Sequence, residues 1–239
     1  MDPYGFDFLY ADRLTPELVV AVARNWPEQS GWPTWAFENH DAPRAISRWV
    51  DKDHRREFTR AKALLLATLR GSIILYQGEE LGLPQVDVPF ERLQDPEAIA
   101  NWPQTLSRDG ARTPMPWQSG APQLGFSTGE PWLPIGKSHA ELAVDLQEQD
   151  AQSTLNFTRE CLALRNRHRA LRNGSMTIIE AGDQRLVFDR AVDGQRLRCS
   201  FNLSDQPIDF SESGSALMRT GAVDGASLGP YAAIIEEIA

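Results

Sequence analysis

Two cysteines in 239 residues, Cys161 and Cys199, are too few for a disulfide framework. Set in a helix-like and a strand-like stretch, they read as buried free thiols of a reducing compartment. Focused positive charge is equally scarce: the net charge is −9, and no Lys/Arg run exceeds Arg55-Arg56 within a mixed-charge segment. Binding a phosphate backbone requires a concentrated cationic surface, so nucleic acid is not an expected partner. No apolar run approaches the roughly 20 residues that cross a bilayer. Met1-Asp2-Pro3-Tyr4 has neither the charged nor the apolar region of a secretory leader. No membrane association is expected, and the cytoplasm is the default compartment. There is also no Gly-rich loop ending in Lys-Ser/Thr, no Cys/His cluster and no His-Glu-x-x-His, so no metal or cofactor is expected.

What is present suits an ordinary globular protein: 41% hydrophobic and 24% charged residues, enough to bury a large core in one domain or two. Sixteen prolines and seven tryptophans stand out. A tryptophan needs a partner for its N–H and often lines a ligand site, although core packing accounts for most such residues.

Periodicity predicts a short strand over Phe6–Tyr10. A helix follows, with Thr15 as N-cap, Pro16 at its first position and its end near Pro27. A strand over Gly31–Phe37 comes next, then a long helix over Asp51–Leu69 closed by Gly71, then an apolar strand over Ser72–Tyr76 buried on both faces. This alternation reads as successive βαβ units with a parallel sheet. Residues 77–140 form a long loop rich in Pro, Gly and Trp, of a length that usually carries function. Helical periodicity returns over Leu142–Leu171. After Asn173-Gly174, short alternating runs (176–179, 185–188, 197–201 and 231–235) between Gly-Asp, Asp-Gly and Ser-Asp turns predict an antiparallel β domain. The expected organisation is α/β: a barrel segment over 1–172 and a C-terminal β domain over 173–239.

The run Phe37-Glu38-Asn39-His40-Asp41-Ala42-Pro43-Arg44 puts a carboxylate and an imidazole side by side where a strand gives way to a proline-stopped loop. The C-terminal ends of strands are where α/β barrels place their chemistry. The duller reading is a turn in which Asn39 or Asp41 caps its own backbone. Two later stretches, Tyr76-Gln77-Gly78-Glu79-Glu80-Leu81-Gly82 and Ser107-Arg108-Asp109-Gly110-Ala111-Arg112-Thr113-Pro114-Met115-Pro116-Trp117, bear on the choice. In this order the three stretches resemble the bacterial α-glucosidases of the α-amylase superfamily (glycoside hydrolase family 13), including oligo-1,6-glucosidases and sucrose isomerases.

The resemblance covers almost the whole chain. It implies the C-terminal part of a (β/α)8 TIM barrel, about strands six to eight, followed by the family's antiparallel β-sandwich domain. It implies retaining chemistry on glucosides or oligosaccharides, with a carboxylate nucleophile and a carboxylic acid flanking the bond. By resemblance, Asp41 is the third carboxylate, which stabilises the transition state. His40 hydrogen-bonds hydroxyls of the same sugar, and Arg112 contacts the glucosyl unit. Glu79 and Glu80 match a structural strand-to-loop junction. Arg108-Asp109 reads as a surface ion pair of little energetic worth. His54 and His139 sit in polar contexts with no special role, and Trp102, Trp117 and Trp132 either stack on sugars or build the loop wall.

The family's nucleophile and acid/base belong to strands four and five, and neither motif is found upstream of Phe6. The chain alone is therefore expected to lack covalent and proton-transfer catalysis. An incomplete barrel also leaves unpaired strand edges, which a homodimer, or the long loop folded over them, would cover. Three readings remain open here. The chain is part of an α-glucosidase, or a non-catalytic sugar-binding, scaffold or regulatory protein, or an enzyme with a rebuilt carboxylate pair of Asp41 with Glu79 or Glu80.

Overall fold

The computed structural model describes residues 7–26, 31–105 and 107–239. Along the chain the elements run α1 (Asp7–Tyr10), α2 (Pro16–Arg24), β1 (Thr34–Ala36), α3 (Ala45–Arg48), α4 (Arg55–Thr68), β2 (Ser72–Ile74), α5 (Pro96–Asn101), α6 (Val144–Gln149), α7 (Thr154–Arg167), α8 (Arg169–Asn173), β3 (Ser175–Gly182), β4 (Arg185–Val192), β5 (Gln195–Asn202), β6 (Ile208–Asp209), β7 (Ser215–Thr220), β8 (Ser227–Leu228) and β9 (Ala233–Ile238). The result is a mixed α/β fold. It divides into two compact units, one comprising Met1–Ala36, Trp49–Ile74 and Thr158–Ala239, the other Phe37–Arg48 and Leu75–Phe157.

In the first unit the expected strand near the N-terminus is instead the helix α1. Phe6 lies outside the described residues, as does the expected end of α2 at Pro27. Four residues are too few for period two to be told from period 3.6. A helical turn buries Phe8 and Leu9 together, with Phe8 edge-on to Trp35 at 6.0 Å. Helix α2 starts as its sequence predicts: Pro16 is its first residue and Thr15 Oγ1 accepts the Leu18 N–H at 3.2 Å. β1 and β2 pair in parallel, from Thr34 opposite Ser72 to Ala36 opposite Ile74. The parallel pairing matches the βαβ reading.

The expectation that β2 is buried on both faces fails. Ser72 is exposed and Ile73 and Ile74 are only half-buried, whereas Trp35 and Ala36 of β1 are buried. The sheet has only these two strands among the described residues, so β2 has a neighbour on one side.

The predicted helix over 51–69 is a short 3-10 turn, Lys52–His54, leading into α4. The carbonyls at its C-terminal end have no partner within the helix. Two guanidiniums satisfy them: Arg165 donates to the carbonyls of Ala67 (2.7 Å), Leu69 (3.0 Å) and Gly71, and Arg190 donates to that of Thr68. Cations also suit the negative end of a helix dipole. Gly71 has φ +140°, and a Cβ there would lie 2.5 Å from the Pro33 carbonyl oxygen, so only glycine fits.

The C-terminal strands form a five-stranded antiparallel sheet, β3-β4-β5-β9-β7, and a small β6-β8 pair. Their runs are longer than the alternation alone suggests. The turn between β3 and β4 has positive φ at Asp183 (48°) and Gln184 (71°), the type I′ pattern that matches strand twist. Phe188 and Phe201 stack at 5.9 Å inside this sheet. Cys161 and Cys199 are free and buried; loss of solvation raises both thiols, that of Cys199 to about 12.

In the second unit, residues 77–140 are mostly irregular but contain α5 and several 3-10 turns. The helical periodicity over 142–171 is realised as three helices, α6, α7 and α8. Among the described residues no helix is long and apolar enough to cross a membrane.

Candidate functional site

The second unit holds every residue for which a site role is expected. After β1 ends, the chain turns sharply through 38–44, and two interactions shape the turn. Asn39 Oδ1 accepts the N–H groups of Asp41 and Ala42, both at 2.9 Å. This is the Asx turn of the duller reading, and it leaves the carboxylate of Asp41 to other partners. At the base of the turn, buried Glu38 pairs with buried Arg44, Oε2 to Nη1 at 3.1 Å.

Arg44 ties this turn to the long loop. Its Nη2 donates to the Ala111 carbonyl at 3.0 Å, and its backbone N–H donates to Gln85 Oε1 at 2.9 Å. Its guanidinium lies 4.5 Å over the Tyr76 ring, and the Tyr76 hydroxyl donates to the same Ala111 carbonyl at 3.1 Å. Burial raises the Tyr76 hydroxyl pKa against the opposing pull of Arg44 and Arg112. Gly110 precedes that carbonyl, and a Cβ there would fall 2.2 Å from the Val86 carbonyl oxygen, so a side chain would force the strap apart.

The loop so held brings Arg112 to the turn. Its Nε donates to the His40 carbonyl at 2.7 Å and its Nη2 to Asp41 Oδ1 at 2.9 Å. His40 Nε2 lies 3.4 Å from Asp41 Oδ2. His40, Asp41 and Arg112 are thus brought together, with side chains 65% exposed for His40 and 46% for Asp41.

Arg108 is the residue that the sequence reading missed. It makes no pair with Asp109. Its Nη1 reaches Asp41 Oδ1 at 3.4 Å, while Nε and Nη2 grip buried Asp95 at 2.9 and 2.6 Å. Asp109 is buried instead and accepts the N–H groups of Gln94 (2.7 Å) and Asp95 (2.9 Å). The 3-10 turn Arg108–Ala111 sets Arg108 and Arg112 four residues apart with both guanidiniums on Asp41. The available signal was Asp95-Pro96, an N-cap and first-position proline that marks a fixed carboxylate at the start of α5.

Glu79 and Glu80 accept backbone N–H groups, of Tyr76 (3.2 Å) and Gly78 (2.8 Å), consistent with a strand-to-loop junction. Burial raises the Glu80 carboxyl pKa. Trp102, Trp117 and Trp132 are exposed. His54 is half-buried with its ring 5.8 Å from that of Tyr231. His139 does not sit in a polar context. It is fully buried, and loss of solvation, with Arg44 nearby, lowers its pKa to about 4 against the opposing pull of the Pro114 backbone. No group of three or more His, Cys, Asp or Glu side chains among the described residues could hold a metal ion.

Exposed ion pairs contribute at most about 1 kcal/mol each, so the charges around Asp41 are poorly placed as stabilisers. Two guanidiniums on an open carboxylate, each anchored from behind, form a rigid polar corner suited to hydroxyl recognition.

These features sit within a recognised family. Residues 14–174 match the catalytic domain of α-amylase, and the chain belongs to that family. It is 44% identical over 207 residues to a probable α-glucosidase of Rhizobium meliloti (strain 1021), covering 85% of this chain and 37% of that protein. It is 31% identical over 204 residues to an oligo-1,6-glucosidase of Heyndrickxia coagulans, covering 77% of this chain and 36% of that protein. Among solved structures, an α-glucosyl transfer enzyme superposes with a TM-score of 0.89 at 39% identity, over 99% of this chain and 46% of that one. The trehalulose synthase of Pseudomonas mesoacidophila MX-45 does so with a TM-score of 0.84 at 25% identity, over 97% and 50%. The chain therefore spans little more than a third of the length of the curated relatives it matches.

Proposed function

We propose that this chain is the C-terminal portion of a retaining α-glucosidase-type enzyme acting on the α-glucosidic bonds of maltose, isomalto-oligosaccharides or sucrose. Residues 1–172 supply about strands six to eight of its (β/α)8 barrel, and 173–239 its β domain. The family match ending at residue 174 supports that boundary. The observation that carries the reading is the corner at Asp41: one carboxylate oxygen under Arg112 and Arg108, the other beside His40.

In this reading Asp41 accepts hydrogen bonds from hydroxyls of the glucosyl ring and favours the positive charge that develops as the glycosidic bond breaks. His40 and Arg112 orient the same ring. Nucleophile and general acid belong to barrel strands outside these residues, so the chain alone binds glucose without turnover. Its setting is cytoplasmic carbohydrate metabolism, and a second copy covers the half-exposed side of β2.

Titration with glucose or maltose tests the site. Binding should be measurable for the wild type and weakened at least about tenfold by Asp41→Ala, as expected when a charge-assisted hydrogen bond is lost. Equal affinity of the two proteins would sink the site. Release of p-nitrophenol from an α-glucoside above background by the 239-residue chain would overturn its inactivity.

A further inference from the structure

Asp95 is a buried carboxylate next to the Asp41 corner, linked to it through Arg108. Its side chain is buried and accepts four N–H groups: Arg108 N (3.0 Å), Nε (2.9 Å) and Nη2 (2.6 Å), and Glu97 N at the start of α5 (3.3 Å). Asp109 fixes the backbone of Asp95 in turn, and Ser107 Oγ accepts the Asp109 N–H at 3.0 Å. Arg108 is therefore gripped at both its backbone and its fork, which removes the rotamer freedom an exposed arginine normally keeps. The one nitrogen not spent on Asp95, Nη1, is the one that reaches Asp41 Oδ1. Arg112 approaches the same oxygen, whereas among the described residues the charged partner of Oδ2 is His40, at 3.4 Å.

We propose that Asp95 is a positioning residue: it aims Arg108 so that, with Arg112, it clamps Oδ1 of Asp41 and turns Oδ2 toward the ligand. Resting on the sugar-site reading above, this divides the corner into a structural oxygen and a hydroxyl-facing one. The physical logic is a relay of buried to exposed charge. Of the Asp95–Arg108 pair only Asp95 is buried, and breaking the pair would leave its carboxylate uncompensated out of water, which holds the geometry. The exposed pair Arg108–Asp41 has no such constraint and borrows it from Asp95.

The test is a double-mutant cycle on the full chain, read as glucose affinity. Asp95→Asn is nearly isosteric and retains N-capping ability, but weakens the grip on the fork. It should raise the Kd about tenfold, as should Arg108→Ala, and the double variant should be no worse than either single one. Arg108→Lys, which keeps the charge and loses the fork, should behave like Arg108→Ala. It carries the cycle's question if Asp95→Asn does not fold. Independently of sugar, the Arg108 Nε–H signal should exchange slowly with solvent in the wild type and rapidly in Asp95→Asn.

Equal losses from Asp95→Asn in the wild-type and Arg108→Ala backgrounds would assign Asp95 to α5 alone and overturn the proposal. So would wild-type affinity in Asp95→Asn or in Arg108→Lys, or an Arg108 Nε–H that exchanges rapidly in the wild type. A folded wild type that binds no glucose defeats the sugar site itself and this assignment with it. Binding that ignores Asp95→Asn defeats the assignment only.

Discussion

His139 illustrates how a residue's environment overrides its type. In sequence it stands among Lys137, Ser138 and Glu141, which suggests solvent. In the structure the ring is fully buried, and a Cβ on Gly136 would come within 2.6 Å of it. Burial removes water from both nitrogens, and Arg44 opposes a second positive charge. The folded protein thus holds His139 neutral down to about pH 4, while the unfolded chain takes up the proton near 6.5. The unfolded state then binds more protons, so this group's contribution to stability falls as pH drops from 6.5 toward 4. The loss is on the order of 2 kcal/mol at pH 5. Urea unfolding at pH 7 and pH 5 should show that much extra sensitivity in the wild type relative to His139→Leu. Identical pH dependence in the two proteins would refute the buried neutral state. Asp41, His40 and Arg112 could be singled out as candidates at this same scale because they lie in contiguous motif strings. Asp95 was not, since its partner Arg108 lies 13 residues on and only the folded loop joins them.

At the scale of elements, caps and periodicity carried real information. Thr15-Pro16 and Asp95-Pro96 start helices as their local chemistry dictates. The hairpins of the β domain follow from alternation and turn residues. What local pattern could not convey is how α4 ends. Its last carbonyls are satisfied by Arg165 and Arg190, about a hundred residues downstream. Arg190 is fully buried and also donates to the carbonyls of Ser175 and Gly174, each at 3.0 Å. Arg190→Ala should therefore cost about 3 kcal/mol or more in denaturant unfolding, because it leaves the carbonyls of Thr68, Gly174 and Ser175 without this donor, at about 1–3 kcal/mol each. Arg190→Lys should recover only part of it, because an ammonium lacks the planar fork. A cost within experimental error of zero for Arg190→Ala would show that these carbonyls find water instead. The strand expected over the first residues failed for the opposite reason: four residues carry too little pattern, and the burial of Phe8 against Trp35 decided for a helix.

At the scale of the molecule, the unfinished feature is the pair β1–β2. Two three-residue strands are less than a free-standing sheet needs, and Ile73 and Ile74 remain half-buried. The outer edge of β2 presents the N–H and C=O of Ile73, since the Ser72 N–H already bonds Pro33 across β1 and alternate residues face opposite sides. The proposed second copy predicts a dimer in sedimentation equilibrium, dissociated by Ile73→Lys, with Ile73 protected from hydrogen exchange in the wild type. A monomer at all concentrations with Ile73 exchanging freely would rule it out.

The sequence by itself determined the family, the parallel βαβ start and the antiparallel β ending, and it singled out Asn39-His40-Asp41 and Arg112 as candidates. These rest on contiguous motifs and on periodicities that local sterics enforce. Only the tertiary structure decided that Arg108 reaches Asp41, that Asp95 holds Arg108 and Glu38 holds Arg44, and that His139 is buried. Each of those depends on which distant carboxylate, carbonyl or apolar surface the folded chain brings within a few ångströms. A one-dimensional pattern does not encode that proximity.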